Sequence, residues 1–143
     1  MRKNKNWGYQ RLTVWSDPIE YYMQTYRVFR QFPYEFKRVA SQAIASSDSV
    51  HRIISEGYCR RSISEYLNFL YIARASLGES VSGLQAYHKS KQITEDDFQK
   101  LDSLAYKLEN GLLKLVESLE QKKERGEWAD CLIVKETTDI YGS

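Results

Sequence analysis

The chain predicts an all-α fold, an antiparallel up-down-up-down four-helix bundle. Only two prolines and seven glycines occur in 143 residues, too few turn residues for an all-β chain. Apolar residues recur at alternating steps of three and four over long segments, the period of a helix with one buried face. Recognisable N-cap signals open these segments, and short links between long amphipathic helices favour antiparallel neighbours.

The first helix is expected from "DPIE", with Asp17 as N-cap, Pro18 at the first helical position and Glu20 as capping-box partner. It runs to about Gln31 and places Ile19, Tyr22, Met23, Tyr26 and Phe29 on one side. Pro33 ends that pattern and suits the first turn of a second helix. There Phe36, Ala40, Ala43, Ser47, Val50 and Ile54 keep the rhythm of a bundle seam, and their small size allows close approach to a neighbour. Gly57 ends the pattern as a left-handed C-terminal cap.

A second capping box, Ser62 to Glu65, opens the third helix, with an inner stripe of Ile63, Tyr66, Leu70, Ala73, Leu77, Val81 and Leu84. Thr94 reaching to Asp97 opens the fourth, which carries Leu101, Ala105, Leu108, Leu112, Leu115 and Leu119. The pattern fades in "EQKKERGE", and the tail holding Trp128, Leu132, Ile133 and Val134 has no helical period. The expected organisation is an N-terminal extension over 1–16, the bundle over 17–124 and a C-terminal tail over 125–143.

Composition narrows the function classes. Hydrophobic residues at 42% and charged residues at 28% are ordinary for a soluble domain large enough to bury a core unaided. The start, "MRKNKNWGYQ", is polar and basic. No secretory signal and no membrane span is expected, because no run approaches the ~20 apolar residues a span needs. Cys59 and Cys131 lie far apart and match no ligand spacing, so two reduced thiols in a cytoplasmic protein are expected. Residues 1–91 carry 14 Lys and Arg against 7 Asp and Glu, whereas residues 92–143 carry 7 against 12. That asymmetry suits an anionic partner for the first part, or two differently solvated faces.

No constellation supports catalysis or a metal. His51 and His88 sit without Cys or carboxylate partners at ligand spacing, and no Glu-x-x-His pair points to a bundle-core metal enzyme. A non-enzymatic protein with no cofactor is expected. At about 100° per residue Arg74 falls ~40° from the centre of the third helix's apolar stripe. It is expected to be partly buried and to take Glu56 as an ion-pair partner across two helices. Arg60, Arg61 and the following helix start would lower the pKa of the Cys59 thiol, but no histidine lies close in sequence, and an inert thiol is expected. "SEGYCRRSISEY" therefore reads as a helix end, a corner and the next capping box, not as an active site.

Two further sets point outward. Arg27 and Arg30 close the first helix, Lys37, Arg38 and Arg52 lie on the second, and Arg60 and Arg61 sit at the corner. These are the candidate nucleic-acid contacts, although no RNA-recognition motif or aromatic stacking platform accompanies them in the sequence. Phe69 and Ile72 project roughly 130° from the inner stripe of the third helix, beside Ser76 and Gly83. Tyr106 and Leu113 lie on the outer side of the fourth helix. Large apolar residues repeating off the core suggest subunit association.

The order of residues resembles the four-helix-bundle family of 23S rRNA intervening-sequence proteins. Its pattern is seen in Leu12, Val14 and Trp15, in Phe32-Pro33, and in Ser41-Gln42. Its most specific part stands here as Ile54-Ser55-Glu56-Gly57-Tyr58-Cys59-Arg60 and as the run from Phe69 through Ile72, Arg74 and Leu77 to Glu79. The likeness covers roughly Tyr9 to Leu119. Two departures stand out. Ile44 and Ala45 occupy a usual arginine pair, and His51, Arg52 and Ile53 replace a usual "Pro-x-Asn", so part of a basic cluster on the second helix is lost.

The resemblance implies a ring-like homopentamer in which each cation repeats around the axis. It also relates the chain to accessory proteins of diversity-generating retroelements, which bind nucleic acid and a reverse transcriptase. The expected function is an RNA- or DNA-binding accessory scaffold, with a protein-protein interaction scaffold that binds no nucleic acid as the alternative.

Overall fold

The computed structural model describes Tyr9 and residues 12–126, and the tail residues Trp128, Cys131, Leu132, Ile133 and Val134 lie outside that range. Four helices make up the described chain: α1 (Thr13–Phe29), α2 (Lys37–Tyr58), α3 (Ile63–Lys89) and α4 (Glu95–Glu124). A 3₁₀ turn at Tyr34–Phe36 precedes α2, and no strand occurs among the described residues. α1 packs against α2 and α4, and α3 packs against the same two helices, so the four enclose one core. Along the α2–α3 seam Gln42 meets Glu79, Ser49 meets Ser76, and Gly57 faces Phe69, positions that fall along α3 as they rise along α2.

α3 forms the spine of the core. Leu70, Ala73 and Leu77 are fully buried, with Ile63, Tyr66, Leu67 and Leu84 nearly so. α4 contributes Phe98, Leu101, Ala105, Leu108, Leu112 and Leu119, while α2 contributes Ala43, Ser47, Val50 and Ile54. Both later helix starts are capped as their sequences dictate. Ser62 Oγ accepts from the Glu65 amide and Thr94 Oγ1 from the Asp97 amide, each at 3.1 Å, satisfying amides that a helix start leaves open.

α1 departs from expectation in two ways. It begins at Thr13, ahead of the expected cap at Asp17, with Leu12 in extended backbone as its N-cap and no side-chain cap. Pro18 consequently lies inside the helix, where its ring is buried. A proline this close to the start removes one helical hydrogen bond, and its burial among apolar groups offsets part of that loss. Asp17, not needed as a cap, lies 3.6 Å from Lys107 Nζ on α4.

The inner face of α1 is also turned from the apolar stripe. Tyr21, Gln24, Thr25 and Phe29 are buried, whereas Met23 and Tyr26 are 45% and 44% exposed. The polar members of the inner face are satisfied. Tyr21 Oη is hydrogen-bonded to Ser80 Oγ at 2.7 Å, Thr25 Oγ1 donates to the Tyr21 carbonyl, and Gln24 Nε2 donates to Glu20.

Gly57 is not a left-handed cap: α2 continues through it to Tyr58, with Cys59 in right-handed geometry as the C-cap. The glycine is needed for space, since a Cβ there would lie 2.5 Å from Phe69 Cβ and 3.2 Å from Tyr66 Cδ1. The described glycine with positive φ is Gly126 (φ 68°), just beyond α4.

Gly57→Ala is therefore expected to cost about 1–3 kcal/mol by overpacking. Gly78→Ala, whose Cβ meets nothing within 4 Å, should gain up to about 1 kcal/mol from helix propensity. Thermal denaturation followed by circular dichroism checks the pair, with the melting temperatures moving in opposite directions.

Candidate functional site

The seven expected cations are all exposed, but they do not form one cluster. Arg27, Arg30, Lys37 and Arg38 gather where α1 ends and α2 begins, while Arg52, Arg60 and Arg61 lie toward the other end of α2. On α2 the span from Arg38 to Arg52 separates the two groups by about 20 Å at 1.5 Å per residue.

Several of these cations already have a local partner. Arg52 Nε lies 2.5 Å from Asp48 Oδ2, and Arg60 Nη2 lies 3.1 Å from Glu56 Oε1. The Arg60 guanidinium also sits 4.8 Å from the centre of the Phe69 ring. Arg30 lies over the Tyr26 ring at 5.8 Å and Lys37 over the Tyr34 ring at 4.2 Å. Arg27 donates to Gln24 Oε1 and borders a cleft of about 330 Å³ between α1 and α4, lined also by Val28, Gln31, Asp97 and Lys100.

The expected tie between Glu56 and Arg74 is replaced. Glu56 turns instead to Arg60, just past the end of α2, and Arg74 is exposed. A guanidinium near the margin of an apolar stripe has a long enough stem to leave the core for water, so no buried partner is required.

The apolar candidates divide. Ile72 and Tyr106 are 52% and 70% exposed, and Leu113 is half-buried. Phe69 does not stand clear of the fold: it is half-buried against Gly57 and beneath Arg60. Ser76 Oγ is hydrogen-bonded to Ser49 Oγ of α2, and a Cβ on Gly83 would lie 3.3 Å from Tyr87. All three are half-buried within one chain.

Residues 10–114 match the family described as 23S rRNA-intervening sequence protein. The chain belongs to that family. The match runs from just before α1 into α4, covering all of α2 and α3. A search of the curated proteins finds no match.

Some features of this intervening-sequence protein were missed in sequence. His51 does have a carboxylate partner, since its Nε2 is hydrogen-bonded to Asp48 Oδ1 at 2.8 Å. Its ring meets Trp15 edge-on at 6.4 Å and Tyr22 at 6.0 Å. The signal was the spacing Asp48, His51, Arg52, which puts both bases one turn from the acid. His88 likewise pairs with Glu95 and stacks on Phe98 at 3.9 Å. Partial burial pushes the Cys59 thiol above its ordinary value, in the direction of an inert thiol and against a lowering by the adjoining arginines.

Burial alone would raise the Asp48 carboxyl, but the hydrogen bonds and charges of His51 and Arg52 prevail and hold it below its ordinary value of 3.8. Because the folded value is depressed, the stabilisation is fully present above the unfolded value and is lost as pH falls through the folded one. Asp48→Asn should cost about 1 kcal/mol at neutral pH. It should also flatten the acid limb below about pH 4, read by urea denaturation at a series of pH values.

Proposed function

We propose that this member of the family is a non-catalytic, cytoplasmic accessory scaffold. Its four helices run up-down-up-down, copies of the chain close into a homo-oligomer, a pentamer by family resemblance, and the assembly holds RNA or DNA for a partner polymerase such as a reverse transcriptase. The observation that carries this reading is the exposure of all seven candidate cations on the part of the chain with 14 basic against 7 acidic residues. Repeated around a ring, two separated basic groups become two basic bands, and phosphate contacts sum across copies.

Ile72 and Tyr106 support self-association as large side chains on α3 and α4 that stand 52% and 70% exposed, area that contact with a second copy would bury. In a closed ring the contact is head-to-tail, with different faces of one chain meeting. The same two residues also favour the second reading, an interaction scaffold that binds proteins alone. No helix of the described residues is long and apolar enough to cross a membrane, which agrees with a partner in the aqueous phase.

Anisotropy of a labelled single-stranded RNA across a salt series tests the reading. Affinity should fall steeply with salt, and replacing Arg60 and Arg61 with Ala should reduce the slope by about 0.7 for each phosphate no longer neutralised. Absence of binding at low salt overturns the nucleic-acid role and leaves the protein scaffold. Light scattering should give a multiple of the monomer mass that Ile72→Glu with Tyr106→Glu reduces to one chain.

A further inference from the structure

The geometry points to a single-stranded nucleic-acid site at the corner between α1 and α2, where unpaired bases stack on exposed aromatic rings flanked by cations. This inference rests on the nucleic-acid reading above and assigns it a location and a strand state. Tyr34 is 79% exposed, and Phe36 and Tyr26 are 45% and 44% exposed. Tyr26 is excluded from the interior because Tyr21, Gln24, Thr25 and Phe29 fill the inner face of α1, and the 3₁₀ turn that carries Tyr34 and Phe36 has no buried residue.

Each tyrosine has a cation against it. Lys37 Nζ donates to Tyr34 Oη at 2.7 Å and lies 4.2 Å from that ring's centre, and Arg30 lies 5.8 Å from the centre of Tyr26. Arg38 is exposed beside them, and the acid within residues 26–38 is Glu35. Stacking on an aromatic face with a cation beside it is the chemistry that holds single strands, because every base has a π-face and every linkage a phosphate. Duplex hides its base faces, so the site discriminates against it. Subunit contacts are depleted in lysine but enriched in tyrosine, phenylalanine and arginine, so a second copy of the chain is the competing occupant that the test separates.

The corner is held in place from beneath. Phe29 is fully buried, with Phe32 at 4.7 Å and Tyr87 of α3 at 5.4 Å between ring centres. That packing anchors the end of α1 and the link to α2, the backbone on which the exposed rings are carried.

The test uses the full chain with labelled oligouridine, labelled oligothymidine and a duplex, with circular dichroism confirming that each variant is folded. Tyr34→Ala and Phe36→Ala should each weaken single-strand binding by about tenfold while leaving the salt slope and duplex affinity unchanged. Tyr34→Trp should bind at least as tightly as the parent. Parent-like binding by both alanine variants, with weakened binding by the Arg60 and Arg61 variant, overturns this site and leaves the broader nucleic-acid reading intact. A change in assembled mass on Tyr34→Ala or Tyr26→Ala identifies the rings as a subunit contact and overturns it too. If the parent chain binds none of the probes, this site and the broader reading fail together.

Discussion

The buried hydrogen bond between Tyr21 and Ser80 sets the rotation of α1, and much of the surface follows from it. Burial pushes the Tyr21 phenol up to about 12, so it remains a protonated hydroxyl at neutral pH. A buried hydroxyl needs a partner, and Tyr21 finds one on α3, the helix across the core, while α1 packs along its length against α2 and α4. Turning α1 by one residue, about 100°, would bury Tyr22 and strand the Tyr21 and Ser80 hydroxyls. With the rotation fixed, Met23 and Tyr26 face outward and Arg30 lies over the Tyr26 ring.

The α2–α3 seam is governed by side-chain size. Gly57 lets the Phe69 stem approach to a distance that any Cβ would obstruct, and Ser49 meets Ser76 farther along. Close backbones leave no room for a buried ion pair between the helices. Glu56 accordingly satisfies Arg60 just past the end of α2, where the spacing of four makes the contact local. Such an exposed pair adds little to stability; its consequence is to hold Arg60 over Phe69 and mask part of that ring.

Surface chemistry then separates the two ends of α2. Toward its C-terminal end, Arg52 and Arg60 are paired with Asp48 and Glu56, which reduces the local positive potential. Near its N-terminal end, Arg30 and Lys37 are held against neutral rings, so their charge is not cancelled. Cation count, four against three, hardly separates the two ends, whereas their neighbours make them chemically different.

Periodicity and caps alone determined that this chain is helical, where α3 and α4 begin, and most of the residues that fill α2 through α4; Phe36, expected in the seam of α2, instead stands 45% exposed in the 3₁₀ turn before that helix. Those features are local: a hydroxyl three residues before an amide and an apolar face every three to four residues act within one helix. Ordered motifs from Leu12 to Glu79 also made the family legible. Tertiary structure decided the start and rotation of α1, the reason for Gly57, and the partners of Glu56, His51 and Phe69. Most of these depend on a group contributed by another helix or on the space between two helices, and a one-dimensional pattern carries no information about which face another helix will claim.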